Sequence, residues 1–372
     1  MEEQILKTII NTIKEKDNFL IIADNDGDGL NSAAILRIIL KKLRKNVKIH
    51  ITVRSELDYS SFYKVIRKNK NKDVIIIIDR PIKDDDLIKL AENFESKIFL
   101  YIDHHKREIP SNIPKNLVYY DIRAIKKDDK LVYPCAVIAY KIGKRIFGDK
   151  FKKYSLLAAL GAYTDMMFGR DKEFLEDLNE VYPGLYKEDT VTLPFLVALD
   201  VLLGFYLKDL NYYVEKVAEN LVENILEVYS DKKVIKAIKN YYKVITDEYS
   251  HAYENMEFFG NVVLIKAKNR ARLVATPIAP YFKNKIVVVY KELEKPPLDT
   301  IKSILRIQDK YKISVRGKLI DVGLAMKEFA EKYGIQGGGH PTAAGGIIYK
   351  RDLHKLVDFL NEKCLKKKKE SF

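Results

Sequence analysis

The sequence predicts an α/β protein, with an N-terminal parallel sheet, a helical connector and a C-terminal α+β domain. Three observations lead there. Short, continuously apolar runs such as 19–23 and 74–78 alternate with segments of helical periodicity, which is how strands buried on both faces and joined by crossover helices read. A tract with helical spacing alone then separates this alternation from a second group of extended runs. At 372 residues the chain is also long for a single core and suits two domains.

The elements follow in order. Residues 2–16 place Ile5, Ile9, Ile10 and Ile13 at helical spacing, and 19–23 reads as a buried strand. A helix over about 31–43, a strand over 47–53, a helix over 62–68, a strand over 74–78, a helix over 83–94 and a strand over 98–102 continue the pattern. Such alternation implies an open, mainly parallel sheet with right-handed crossovers, whose ligands sit outside the carboxyl ends of the strands. Helical periodicity returns over 135–147, 153–166 and 211–249. Extended runs at 262–267, 273–276, 286–290 and 312–316, a helix over 319–333, a glycine cluster and a final helix make up the second domain. The division expected is 1–190, 191–256 and 257–372, with no internal repeat of solenoid period.

Composition narrows the function classes. Hydrophobic residues at 47% and charged residues at 32% exclude wholesale disorder and collagen-like or low-complexity chains. Lys and Arg number 66 against 52 Asp and Glu, a net charge of +14 that would attract polyanions such as nucleic acid. The same balance also suits the lysine-rich surface of a heat-adapted protein. Cys135 and Cys364 form no C-x-x-C pattern, so neither a disulfide framework nor a zinc ribbon is expected, and a reducing cytoplasm fits. The acidic start Met1-Glu2-Glu3-Gln4 argues against a signal peptide. The most apolar stretch, 191–207, is short for a membrane span and is broken by Pro194, Asp200 and Gly204. Its Leu193, Phe195, Leu196, Leu199, Leu202, Leu203 and Phe205 suit either homo-oligomer formation or cover for the core between the domains. The basic end, 363–370, reads as a solvated tail or as a contact for a phosphate backbone.

The chemistry gathers at strand tips. The first strand ends in Asp24-Asn25-Asp26-Gly27-Asp28-Gly29, three carboxylates at alternating positions that would repel one another without a cation. Asp and Gly also serve as ordinary turn and N-cap residues. An EF-hand fails because its twelfth position is Ile35 rather than Glu. The third strand ends in Asp79, and the fourth in Asp103-His104-His105. Parallel strands would deliver these groups to one edge, as a two-metal hydrolase requires. Oxygen ligands with later imidazoles favour Mn²⁺ or Mg²⁺, with iron and cobalt less suited. Asp165, after the apolar segment 156–164, would need a partner if buried.

In order and context, Asp24-x-Asp26-x-Asp28-Gly29, Asp79, Asp103-His104-His105 and Asp165 resemble the four motifs of the DHH phosphoesterase superfamily. Gly337-Gly338-Gly339-His340-Pro341-Thr342-Ala343-Ala344-Gly345 resembles the long, distinctive mark of the associated DHHA1 module, and Ser314-Val315-Arg316 resembles the strand facing it. The resemblance implies a DHH domain followed by a DHHA1 domain. It implies that Asp26 and Asp28 serve different metals, that Asp79 bridges them, and that His104 and Asp165 are further ligands with Asp24 joining the first ion. Two divalent ions are implied, Mn²⁺ preferred and Mg²⁺ second. Asp103 would orient the histidines or complete the shell, and His105 would face the scissile phosphate, attacked in line by activated water. Ser314, Arg316, Gly337, Gly338, Gly339 and His340 would hold a neighbouring phosphate.

Two departures stand out: Asp79 is followed by Arg80-Pro81 rather than small residues, and no OB-type domain follows the glycine motif. Size and layout are similar to archaeal RecJ-like proteins. That resemblance implies a single-strand exonuclease acting on DNA or RNA in replication or repair, with the GINS complex, the replicative helicase or Hef as candidate partners. The alternatives are a phosphodiesterase for short oligonucleotides or cyclic dinucleotides, and a replication or repair scaffold with secondary nuclease activity. Inorganic pyrophosphatase fits less well, because the glycine motif serves nucleotide substrates.

Overall fold

A computed structural model describes residues 1–52, 58–105, 108–165, 167, 169–183, 185–187, 190–191, 209–293 and 310–370. The chain divides into two compact units, Met1–Asn240 and Tyr241–Phe372.

The first unit is built on a five-stranded, all-parallel sheet. Helix α1 (Glu2–Glu15) leads into β1 (Asn18–Ala23), α2 (Gly27–Lys42), β2 (Asn46–Ile51), α3 (Tyr59–Lys68), β3 (Val74–Ile78), α4 (Asp84–Asn93), β4 (Ile98–Asp103) and β5 (Leu117–Asp121). The strand order is β2-β1-β3-β4-β5, with every pairing parallel. The order reverses between β1 and β3, and in doubly wound sheets this is where a crevice opens beyond the carboxyl ends. Phe19 to Ala23 and all of Val74–Ile78 are buried, as strands with both faces covered must be. Beyond β5 come α5 (Ile122–Lys126), α6 (Cys135–Phe147), α7 (Ser155–Thr164) and α8 (Lys172–Val181).

The structure departs from the sequence expectations in several places. Helix α2 begins at Gly27, not near residue 31, because the Asp26 carboxylate caps it by accepting from the Gly29 N–H at 3.1 Å. Strand β5 and helices α5 and α8 were not anticipated. The tract 211–249 is helical as expected but divided: Ala218–Glu223, Ile225–Ser230 and Lys232–Glu254 are separate helices, with Asn224 and Asp231 at the breaks. Val53, Met166 and the apolar run 192–207 lie outside the described residues.

The second unit carries a six-stranded mixed sheet in the order β12-β13-β11-β10-β9-β8. Its strands are β8 (Met256–Phe259), β9 (Val262–Lys266), β10 (Ile286–Glu292), β11 (Lys310–Arg316), β12 (Gln336–His340) and β13 (Ala343–Tyr349). The earlier strands β6 (Tyr186–Lys187) and β7 (Thr190–Val191) pair with each other. One face packs Ile313, Val315, Ala344 and Ile348 together with helix residues Met326, Phe329 and Leu356. The other packs Val263, Ile265, Val287 and Val289 with Ala271, Val274 and Ala275.

Residues 273–276, expected to be extended, lie in a helix spanning Ala271–Ile278. Ala271, Val274, Ala275 and Ile278 recur at helical spacing against the sheet, and packing settles what a four-residue run left ambiguous. The glycine cluster forms the antiparallel hairpin β12–β13. Its backbone lies against the helix Val322–Tyr333, where a Cβ at Gly323 would stand 2.4 Å from the Gly339 carbonyl oxygen. Glycine is required there by close backbone approach.

Candidate functional site

The groups singled out at the strand tips do converge. Beyond β1, Asp28 sits in the first turn of α2, fully buried, with both carboxylate oxygens engaged at the start of α6. Its Oδ2 accepts from the Cys135 N–H at 2.7 Å and its Oδ1 from the Ala136 N–H at 2.8 Å. These are amide donors that a helix start leaves without intrahelical partners. Helix α7 closes over this carboxylate through Gly161, where a Cβ would stand 2.5 Å from the Ala136 Cβ and 2.8 Å from Asp28 Oδ1.

Asp79 immediately follows β3 in a left-handed backbone conformation, φ 54°, uncommon for a residue with a side chain and frequent at functional sites. From β4, His104 is almost completely buried, and its Nε2 lies 3.3 Å from Asp79 Oδ1, 3.2 Å from Asp165 Oδ2 and 3.9 Å from Asp28 Oδ2. Asp165 reaches it from the end of α7. Thus carboxylates 28, 79 and 165 meet one imidazole nitrogen at the β1/β3 crevice.

Such crowding is costly without a cation. Burial, then the Asp165 charge, pushes the Asp28 carboxyl well above the ordinary carboxylate range. Burial followed by repulsion from Asp28, Asp26, Asp165 and Asp103 does the same to Asp79. Asp79 Oδ1 is buried and, among the described residues, has no hydrogen-bond partner. An orphaned carboxylate oxygen beside an imidazole nitrogen and further carboxylates is a donor set suited to divalent metal. Candidate ligand atoms of Asp28, Asp79, His104 and Cys135 lie within 4.8 Å of one another, as do those of Asp79, Asp103, His104 and His105. Burial and the neighbouring carboxylates raise the Cys135 thiol well above its usual value, and the thiol donates to the Ile102 carbonyl oxygen at 3.7 Å.

The remaining histidine is set differently. Asp103 Oδ1 lies 2.7 Å from His105 Nδ1, while Tyr101 donates its hydroxyl to Asp103 Oδ2 at 2.5 Å. Burial opposes charge on His105, but the Asp103 carboxylate outweighs it and the imidazolium is held to about 9. In turn, despite its own burial, Asp103 is held below the usual range by His105, His104 and the Tyr101 hydroxyl. His105 therefore stands as a half-exposed cation beside the acids.

Asp24 is placed differently from the other acids. Its Oδ1 accepts from Arg80 at 2.5 Å and from the Asn25 N–H at 2.8 Å. Burial, then Asp26, raises its carboxyl, and Arg80 works against both. Asp26, at the N-cap of α2, is among the charges felt by Asp24, Asp28 and Asp79.

In the second unit the DHHA1-like residues also adjoin one another. Ser314 is opposite Gly345, Arg316 opposite Ala343, Gly338 opposite Gly345 and His340 opposite Ala343, while Gly337 pairs with Gly346 and Gly339 with Ala344. The register therefore brings Ser314, Gly338, Arg316 and His340 onto one sheet face. Arg316 is buried and donates to the carbonyl oxygens of Val315 at 2.8 Å and Ala344 at 3.3 Å and to Thr276 Oγ1 at 3.3 Å.

Sequence reasoning missed Tyr101, the amides of Cys135 and Ala136, and Gly161. Tyr101 was within reach, since residues two apart on a strand share a face. The amides carried a weaker signal, Pro134 ahead of an apolar helix. Nothing local marked Gly161.

Comparison with known proteins agrees with both halves. The model of the DHH family, N-terminal domain, matches residues 18–162, and that of the DHHA1 domain matches 263–366. The uncharacterized Methanocaldococcus jannaschii protein MJ0831 is 23% identical, the match covering 97% of this chain and 96% of that protein. The Bacillus subtilis protein YorK, named as a prophage-derived single-strand DNA-specific exonuclease, is 22% identical over 95% of this chain and 67% of its own. Among solved structures, Thermus thermophilus RecJ in complex with Mn²⁺ superposes with a TM-score of 0.64 at 17% identity, covering 98% of this chain. This chain spans about half that protein, 54% of its length. Motifs, fold and both domain matches lead to one conclusion: the chain carries a domain of the DHH family, N-terminal domain, followed in sequence by a DHHA1 domain.

Proposed function

We propose that the protein is a metal-dependent phosphodiesterase that hydrolyses single-stranded DNA or RNA from an end. The observation that carries this reading is the meeting of Asp28, Asp79 and Asp165 with His104 Nε2 at the carboxyl edge of a parallel sheet. The RecJ-like fold and the exonuclease name of a relative support the choice of substrate.

Asp24, Asp26, Asp28, Asp79, His104 and Asp165 would hold two divalent ions, Mn²⁺ in preference to Mg²⁺, with Asp79 shared between them. Bound there, the ions would activate water and offset charge developing on phosphorus. The chain's own residues do the rest. The Cys135 and Ala136 amides fix Asp28, and Tyr101 and Asp103 lock the His105 ring at Nδ1. Nε2 of that imidazolium is then the donor for a phosphate oxygen. Arg80 holds Asp24 and brings positive charge to the rim. We assign these events to 1–190, phosphate anchoring by Ser314, Arg316, His340 and the glycine hairpin to 257–372, and the connection to 191–256. A role in replication or repair, with GINS, the replicative helicase or Hef as partner, follows from the RecJ likeness and belongs to the same proposal.

The test is digestion of end-labelled single-stranded DNA and RNA of several lengths with Mn²⁺ or Mg²⁺. Stepwise shortening that requires metal and disappears in Asp79→Ala supports the reading. Cleavage restricted to dinucleotides, or equal activity in Asp79→Ala, overturns it.

A further inference from the structure

The sheet face that carries Arg316 extends beyond it. Along β11, Ile313 and Val315 enter one core, so Lys310, Lys312, Ser314 and Arg316 stand on the opposite face. The register agrees: Ser314 is opposite Val289 and Arg316 opposite Val287, both members of the second core cluster. On this same face Lys312 is directly opposite Lys291 of β10, and Lys310 directly opposite Tyr349 of β13.

Burial changes along the row. Arg316 is 8% exposed and Ser314 6%, whereas Lys312 is exposed and Lys310, Lys291 and Tyr349 are half-buried. Two cations lie near the Tyr349 ring, with Lys310 Nζ 4.9 Å and the Arg351 guanidinium 5.2 Å from its centroid. Alternate residues of a strand are about 7 Å apart, so the row offers charge at intervals comparable with successive phosphates of an extended single strand. An aromatic ring lies at its far end, and basic grooves with aromatic platforms hold single strands without regard to sequence.

We propose that Lys291, Lys312 and Lys310, with Tyr349, form a track that holds successive phosphates and a stacked base of a single-stranded oligonucleotide, continuing outward from Ser314 and Arg316. This rests on the nuclease reading and specifies its substrate: strands of several nucleotides rather than dinucleotides. The buried end anchors one phosphate, and the three lysines add contacts that only a longer chain can reach. Their ammonium groups are compact, flexible point charges, suited to contacts that must slide as a strand advances.

The test is binding of fluorescent oligothymidylates of two, five, ten and fifteen nucleotides to the full-length chain in EDTA, so that nothing is cleaved. The variant is Lys291→Gln/Lys310→Gln/Lys312→Gln, with thermal melting to show that it folds. The expected result is at least a tenfold loss of affinity for the ten-nucleotide strand and less than twofold for the dinucleotide. The salt dependence of binding the longer strand should also become shallower by about 2 in log–log slope, from three lost contacts at roughly 0.7 each. Unchanged affinity for ten nucleotides overturns the track, and so do equal losses at both lengths. A control variant, Lys239→Gln/Lys243→Gln/Lys283→Gln, removes three exposed lysines elsewhere; an equal loss there would show that net charge alone was responsible. Failure of the wild type to bind any single strand would instead remove the nuclease reading beneath the proposal.

Discussion

The two sheets make their sites by opposite means. The parallel sheet draws acids and imidazoles from tips far apart in sequence into a buried cluster, in which Asp28, Asp79 and His104 are each at most 2% exposed. The mixed sheet lays out its candidate binding residues on neighbouring strands, running from the buried Ser314 and Arg316 to the half-buried Lys291 and Lys310 and the exposed Lys312. Burial strengthens electrostatics and suits chemistry. An open strand face suits a ligand that enters and moves along. The difference implies that substitutions in the first sheet should abolish turnover, whereas those in the second should grade affinity.

The largest expected effect is that of Asp79→Ala. A shared carboxylate offsets charge on two ions, so rate should fall on the order of a thousandfold or more. Titration calorimetry should show a greater loss of metal binding than in Asp24→Ala, whose carboxylate is already held by Arg80. A variant at position 79 that still binds two ions and cleaves would end the bridging role.

Next comes Arg316→Ala, expected to leave metal binding intact while lowering activity on oligonucleotides about ten- to a hundredfold, since a charge-assisted phosphate clamp contributes positioning as well as affinity. A small activated diester, having no second phosphate, should be affected less. Equal losses on both substrates with a lowered melting temperature would make Arg316 structural, a role to which its bonds to Val315, Ala344 and Thr276 would then be credited.

Gly323→Val should be felt in stability before activity. The added Cβ meets the Gly339 carbonyl oxygen at 2.4 Å, and overpacking of this kind costs about 1–3 kcal/mol. Denaturant unfolding measures it, and an unchanged midpoint would show that hairpin and helix separate without cost.

The smallest effect concerns Glu2, which accepts from the hydroxyls of Tyr120 at 3.1 Å and Tyr133 at 3.0 Å and pairs with Lys126 at 2.6 Å. Burial works against its charge, but Lys126 and the two hydroxyls together lower its carboxyl below the usual value. A depressed carboxyl stabilises the fold above its unfolded value, near 4.5, and loses that contribution as pH falls through its folded one. Glu2→Gln should therefore melt lower than wild type near neutral pH, with the gap closing in acid. A gap independent of pH would assign the effect to packing.

Much of this was legible in the sequence. Continuous apolar runs marked β1, β3 and β4 because parallel strands are buried on both faces, and the acids following them marked the carboxyl edge. The helix starts were less clear. Asp26 caps α2 through its Oδ1, a role that the local sequence could not separate from the metal binding proposed for the same carboxylate. Short runs misled, as at 273–276, where four residues fit either periodicity until the sheet beneath selected a helix.

By itself the sequence determined what depends on near neighbours along the chain: strand and helix periodicity, the acid-bearing turns, and the grouping of histidines with Asp103. Tertiary structure alone decided what depends on register and approach. It brought Arg80 to Asp24 across 56 residues and the α6 amides to Asp28 across more than a hundred. It also set Lys291 opposite Lys312 and turned a run of glycines into a strand against a helix. Periodicity is written into each segment by which faces must leave water. Which carboxylate meets which imidazole is fixed only when sheets and helices pack, because that choice belongs to pairs of elements and to no single segment.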